Sequence, residues 1–205
     1  MTLTPSASVL PLFDGVFAVA VTLLAFALPD HAMSSMDVER LGLAVAIYSL
    51  TGAAVLLFWF KLRRLITVAR RLLIPQSAIA FSGMLLIVLM PKLMQLVVVY
   101  GRGDGDLTNW TPSQIVNTIL LASFLLMDIL CFLFARTLLV SPCVSRVHLR
   151  FVDRSCASQL VGCLLILVLF AVQQFVPWFD NEYVLLVPVV LLIEEWFLVA
   201  RSRVL

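Results

Sequence analysis

The sequence has few charged residues. Acidic and basic side chains make up 13% of its 205 residues, about half the share found in an ordinary globular chain. The 14 Lys and Arg are nearly balanced by 12 Asp and Glu, so no basic surface indicates a nucleic-acid partner. Hydrophobic residues make up 62% of the chain and the mean hydropathy is +1.10. These values exclude both a disordered chain and a soluble globular domain.

Cysteine and histidine are also scarce. The four cysteines form no CxxC pair, and the two histidines do not cluster with them, so neither a zinc site nor a disulfide framework is indicated. The sequence contains no HExxH, GxSxG or paired-aspartate signature. We therefore expect no enzymatic activity, no metal site and no resident cofactor.

Long runs of apolar residues are the main feature of the sequence. A helix that crosses a hydrocarbon core of about 30 Å needs roughly 20 mostly apolar residues. Six runs meet or approach this length, which predicts an all-α, polytopic membrane protein with one six-helix transmembrane domain over residues 1–205. The predicted spans cover about residues 9–28, 41–60, 79–100, 115–135, 160–176 and 183–200.

The basic residues predict the orientation of these spans. They concentrate in three places that we assign to connecting loops and the C-terminal tail, whereas the other loops are acidic or mixed. Because positive charge marks the cytoplasmic side, we expect both termini in the cytoplasm, with the first span retained in the membrane. The aromatic run Phe58–Phe60 is assigned to the membrane interface. The basic residues concerned are Lys61, Arg63, Arg64, Arg70 and Arg71; Arg136, Arg146, Arg150 and Arg154; and Arg201 and Arg203.

Ionisable residues inside the predicted spans are candidates for function, because charge is costly in a bilayer. For Glu194 and Glu195 we favour a structural role near the cytoplasmic surface. For Asp128 we favour a packing ion pair, with Lys92 as its partner. An alternative is a proton or cation transporter, or a leak pathway, that uses Asp14, Asp128 and Lys92 as a relay. A non-conducting membrane scaffold is a further alternative.

The first span has a small-residue pattern. Small side chains let membrane helices approach closely. By helical spacing, six residues fall on one side of the helix, and we call them the first-helix stripe. Taken alone, such a stripe is more often a packing face than a pore. The stripe consists of Leu12, Gly15, Val19, Thr22, Leu23 and Phe26.

The same span carries a family resemblance. The run from Asp14 to Leu24 resembles the first-helix signature of the transmembrane protein 175 family of lysosomal and bacterial potassium channels. That signature is roughly Arg-x-x-x-Phe-Ser-Asp-Gly-Val-Phe-Ala-Ile-Ala-x-Thr-Leu-Leu. Within the run, valine replaces isoleucine at Val19. Trp59 and the Tyr48-Ser49 and Arg64-Leu65 pairs are a weaker match to the second helix of the family.

The resemblance implies a potassium-permeable channel that has no TVGYG filter, and no such sequence occurs in this chain. It further implies a homotetramer in a bacterial plasma membrane, with lipid and permeant K⁺ as the other partners and no cofactor. Four first helices would line the pore. By position, the constriction would be formed by Val19, Leu23 and Phe26, with Thr22 adding a hydroxyl ring.

The chain departs from the family around the aspartate. The arginine, phenylalanine and serine of the signature fall on Ser8, Leu12 and Phe13. The paired histidines expected after the tryptophan fall on Leu62 and Arg63. In the family these polar residues hold the first three helices together through the aspartate. We therefore expect Asp14 to find a new partner, either Arg63 or Lys61.

Overall fold

The computed structural model describes residues 4–26, 38–69, 71–100, 112–142, 144–175 and 182–203. Apart from two short strands and the turns between elements, these residues are helical, so the all-α prediction is confirmed. The helices of the described chain are α1 Ser6–Phe26, α2 Val38–Val68, α3 Ile74–Tyr100, α4 Pro112–Leu139, α5 Arg146–Phe175 and α6 Glu182–Arg203.

Two helices extend well beyond their predicted spans. Helix α2 continues past residue 60 to Val68, and α5 begins at Arg146 rather than near residue 160. The assignment of Lys61, Arg63 and Arg64 to a loop is therefore wrong, since all three lie in α2. The end of an apolar run marks where hydrophobic surface ends. A helix continues through Lys and Arg, which are good helix formers, when their charges find partners on other helices.

Short backbone pairings join the connections at one end of the molecule. Strand β1 (Thr4–Pro5) pairs antiparallel with β2 (Arg71–Leu72). A single bridge links Ala69 to Val144. These pairings bring the residues before α1, the α2–α3 connection and the α4–α5 connection together.

The start of α3 is fixed by a glutamine. The backbone N–H of Leu73 donates to Gln76 Oε1 at 2.9 Å, as in one half of a capping box. Gln76 Nε2 in turn donates to the Thr137 carbonyl near the end of α4, at 3.2 Å. This buried side chain thus connects the two helix ends.

The core lies between the helices, with α4 packed against both α3 and α5, and α6 packed against α5 and α2. Helix α1 packs on α3 and α2. Phe58 of α2 stacks on Phe124 of α4, with ring centroids 6.1 Å apart, and both side chains are buried. Our assignment of Phe58 to the membrane interface is therefore wrong.

Three helical segments of the described chain are long and apolar enough to cross a membrane: Ile74–Leu93, Gln114–Leu139 and His148–Val172. Ser8–Leu23 in α1 is also apolar but shorter. The count of six spans and the cytoplasmic position of both termini therefore stay predictions.

Candidate functional site

The first-helix stripe lies on the outside of the protomer from Leu12 to Leu23, the part whose side chains the structure describes. The side chains of Leu12, Val19 and Leu23 are exposed, as is Thr22. A Cβ added at Gly15 would meet nothing within 4 Å. In the single chain, this side of α1 is therefore an exposed apolar surface with space beside Gly15 for another helix.

Two members of the stripe need separate comment. Thr22 Oγ1 donates to the Ala18 carbonyl at 2.9 Å, one turn earlier in the same helix. Its proton is used in that bond, so the oxygen presents acceptor lone pairs outward. Phe26 is the last residue of α1, and its side chain lies outside what the structure describes.

Another side of α1 holds the helix against the protomer. Val9, Phe13 and Ala20 are buried, and Val16 and Phe17 pack against the core. These residues follow the spacing of a helical face. The chain therefore buries one face of α1 and leaves the described residues of the first-helix stripe, Leu12 to Leu23, exposed.

The charged group at Asp14 joins α1 to α2. Trp59 Nε1 donates to Asp14 Oδ1 at 3.2 Å, and Arg63 Nε lies 3.2 Å from the same oxygen. The guanidinium of Arg63 also lies over the Trp59 ring, 5.1 Å from its centroid. We call Asp14, Trp59 and Arg63 the Asp14 cluster. Of the two expected partners for Asp14, the structure places Arg63 beside it.

The Asp14 cluster also fixes the rotation of α1. Phe17, one turn after Asp14, stacks on the Trp59 ring with centroids 4.7 Å apart. Asp14 precedes Val19 by five positions, which is about 140° around a helix of 3.6 residues per turn. When Asp14 faces α2, Val19 must therefore face away from it.

A second charged group is buried between α2, α4 and α6. Lys61 Nζ lies 3.2 Å from Asp128 Oδ1 and also pairs with Glu194 Oε2. We call these three residues the Lys61 cluster. The neighbouring Arg64 pairs with Glu195 at 2.8 Å. Residues 61–64 of α2 therefore bind acidic partners on three different helices.

The pairing predicted between Lys92 and Asp128 is wrong. Lys92 is exposed and donates to Gln95, one turn later in α3, at 2.9 Å. The partner of Asp128 is Lys61 instead. Because Asp14, Asp128 and Lys92 each bind a different residue, the described contacts do not connect them into a relay.

Comparison with known proteins locates a family match in the first three helices. Residues 9–91 match the model of a family described as the endosomal/lysosomal potassium channel TMEM175. This confirms the family resemblance. The match supports a potassium channel function in general terms, and together with the apolar helices it supports a membrane protein. No curated protein and no solved structure matches the chain.

The TMEM175 match covers the first-helix stripe and the Asp14 cluster, whereas two members of the Lys61 cluster lie beyond it. TMEM175 is a family of channels rather than enzymes. In the described part of the chain, no group of three or more His, Cys, Asp or Glu residues could hold a metal ion.

Sequence reasoning missed the Lys61 cluster. Lys61 is 67 positions from Asp128 and 133 positions from Glu194, so no local spacing connects them. The available signal was the presence of two acids inside predicted spans, each needing a partner, and of a lysine directly after the second predicted span. The structural role expected for Glu194 and Glu195 agrees with the contacts, since Glu194 pairs with Lys61 and Glu195 pairs with Arg64.

Proposed function

We propose that the protein is a potassium-permeable channel, in which four copies of the chain place their α1 helices around a central pore. The observation that carries this proposal is the exposure of the first-helix stripe in a helix that the TMEM175 match includes. The permeant ion is K⁺, and no cofactor is needed. The pore residues are Val19, Thr22, Leu23 and Phe26.

The chemistry of the stripe supports a pore with a hydrophobic constriction. Rings of Val19 and Leu23 would exclude water from a narrow passage, and such constrictions gate by dewetting. Between them, Thr22 offers oxygen lone pairs, the kind of ligand that replaces part of the hydration shell of a cation. Potassium loses its water more readily than sodium, so the ring favours K⁺ modestly. The bulk of Phe26 leads us to expect low conductance.

The Asp14 cluster supports the orientation of α1 that this pore needs. It anchors one side of α1 on α2, through Trp59 and Arg63, and leaves the stripe facing outward. The open space beside Gly15 would let neighbouring α1 helices approach closely, as small residues do in membrane interfaces.

The proposed topology is six membrane spans with both termini in the cytoplasm of a bacterial cell. It is supported by the pairing of β1 with β2 and by the Ala69–Val144 bridge. These contacts gather three segments that the topology assigns to the same side of the membrane. The basic ends of α2, α4 and α5 point to the cytoplasmic side.

The test is potassium flux from liposomes that contain the purified protein, compared with sodium flux. Val19→Asn and Leu23→Asn should change the K⁺ flux, because a polar ring hydrates the constriction. Matched controls are Val168→Asn and Leu167→Asn in α5. Their exposed fractions in the protomer are 57% and 46%, against 56% for Val19 and 45% for Leu23.

The controls separate a pore from a lipid-facing surface. The proposal expects an effect at the α1 positions and little at the α5 positions. Equal effects at both helices would contradict it. So would the absence of K⁺ flux from a tetramer that carries Phe26→Ala, since the bulky residue is then gone.

A further inference from the structure

The Lys61 cluster has an excess of acidic groups. It holds one lysine and two carboxyl groups, and the exposed fractions are 5% for Lys61, 0% for Asp128 and 1% for Glu194. With all three ionised, the cluster would carry a net negative charge in a site closed to solvent. Such a charge is costly unless it is balanced.

The remaining charged neighbours do not supply this balance. Arg64 is paired with Glu195 at the edge of the cluster. Among the described residues, the other ionisable groups facing the cluster are the thiols of Cys131 in α4 and Cys163 in α5. Neither thiol adds positive charge, so no further positive side chain of the described residues balances the cluster, which leaves a bound cation or a proton to do so.

The two carboxyl groups converge on one glycine of α5. A Cβ added at Gly162 would lie 2.7 Å from Asp128 Oδ2 and would also collide with Glu194 Oε2. Asp128 Oδ2 is fully buried and, within the described part of the chain, has no hydrogen-bond partner. The carboxyl groups of Asp128 and Glu194 therefore share one small space, and one of their oxygens is unsatisfied.

We propose that the Lys61 cluster is a binding site for one exchangeable proton, held by the Asp128 and Glu194 carboxyl groups while Lys61 stays charged. Two carboxylates that share a buried site do not both ionise readily, because each repels the charge of the other. A proton on one of them makes it a hydrogen-bond donor to the other and leaves one negative charge opposite Lys61.

A proton fits this space better than a metal ion does. Hard cations take six or more oxygen ligands. No group of three or more His, Cys, Asp or Glu residues that could hold a metal occurs in the described residues. The space between the carboxyl groups is bounded by Gly162 on one side and by the Lys61 ammonium on the other. The proposal does not depend on ion conduction.

Infrared spectroscopy of the purified protein tests the proposal directly. At pH 7 the wild-type protein should show the C=O stretch of a protonated carboxyl group, shifted when H₂O is exchanged for D₂O. Asp128→Asn and Glu194→Gln should each abolish this band, because one acid opposite one lysine ionises. Glu195→Gln is the control and should retain the band.

The pH dependence of unfolding gives a second readout. If the folded state alone holds the extra proton, the contribution of this site to stability is greatest at low pH and falls as the pH rises. The unfolding constant should increase about tenfold per pH unit above about pH 5, until the site releases its proton. Relative to the wild type, Asp128→Asn and Glu194→Gln should lack this dependence. The double variant should be less stable than either single variant, because Lys61 is then buried without a carboxylate and must give up its proton or stay unpaired.

Three results would overturn the proposal. The first is the absence of a protonated-carboxyl band in the wild-type protein at pH 7, which requires no variant to fold. The second is a band that survives either Asp128→Asn or Glu194→Gln. The third is a double variant as stable as the single ones, since the carboxylate left in each single variant would then not stabilise a charged Lys61.

Discussion

Removal of the Asp14 carboxylate should weaken the attachment of α1 to α2. Asp14→Ala takes away the acceptor of the Trp59 indole N–H and the ion-pair partner of Arg63, both 3.2 Å away. The stacking of Phe17 on Trp59 stays in place. We expect a protein that still folds, with α1 less firmly held in the rotation that points the first-helix stripe outward.

The expected loss of stability in Asp14→Ala follows from how exposed the two side chains are and from the kind of interaction that is removed. The side chains of Arg63 and Asp14 are 46% and 37% exposed, and an ion pair this accessible contributes about 0–1 kcal/mol. A hydrogen bond to a charged acceptor contributes about 1.5–3 kcal/mol, and we take the lower end because Asp14 is partly exposed. Together they predict a loss of about 2 kcal/mol, or about thirtyfold in the unfolding constant.

A double-mutant cycle isolates the pair. Asp14→Ala, Arg63→Gln and the double variant are compared by unfolding in detergent micelles, followed by tryptophan fluorescence. We expect a coupling energy of about 0.5–1 kcal/mol between the two positions. The control cycle replaces Arg63→Gln with Arg64→Gln, because Arg64 lies next in α2 but pairs with Glu195. That cycle should be additive.

The reasoning would be refuted by additive free energies for Asp14 and Arg63, or by equal coupling in the two cycles. Either result would mean that the pair does not hold α1. An unchanged K⁺ flux in Asp14→Ala, combined with the expected loss of stability, would separate the anchoring of α1 from the pore.

Three further predictions concern the glycines and the end of α1. Gly15→Ala should leave the protomer folded but change K⁺ flux or tetramer yield. Gly42→Ala is the control and should change neither, although a Cβ added there also meets nothing within 4 Å. If the two variants show the same flux and tetramer yield, Gly15 does not lie in the interface between protomers. Gly162→Ala should lower the unfolding temperature, because the added methyl group collides with the carboxyl groups of Asp128 and Glu194. A thermal unfolding curve equal to that of the wild type would contradict this packing. Phe26→Ala should raise K⁺ flux, and unchanged flux in a folded tetramer would exclude Phe26 from the constriction.

The sequence predicts the helices well where local properties decide the structure. All of the predicted spans overlap described helices, because long apolar runs are local signals. The ends of α2 and α5 are missed, since whether a helix continues through basic residues depends on partners in other helices. Arg63 occupies the position of one of the two family histidines, which is why the sequence names it as a candidate partner for Asp14.

Long-range charge pairing could not be predicted in the same way. The sequence suggests Lys92 as the partner of Asp128 because both lie inside predicted spans and Asp128 needs a partner from another helix, but depth alone does not show which helices are neighbours. The sequence places Lys61 in a predicted loop and makes it a candidate partner for Asp14, but nothing in it points from Lys61 to Asp128 or Glu194. The long side chain of Lys61 extends from α2 into the space between α2, α4 and α6, where its ammonium group pairs with Asp128 and Glu194.

The central claim is that the first-helix stripe lines the ion pathway of the channel, and a cysteine substitution tests it most directly. Val19→Cys is reconstituted in liposomes and treated with a charged, membrane-impermeant thiol reagent while K⁺ flux is recorded. Val168→Cys in α5, equally exposed in the protomer, and the untreated wild type are the controls. The account predicts that the reagent blocks flux through Val19→Cys and leaves the Val168→Cys flux unchanged. Full flux through a labelled Val19→Cys channel, or block at Val168→Cys as well, would contradict it.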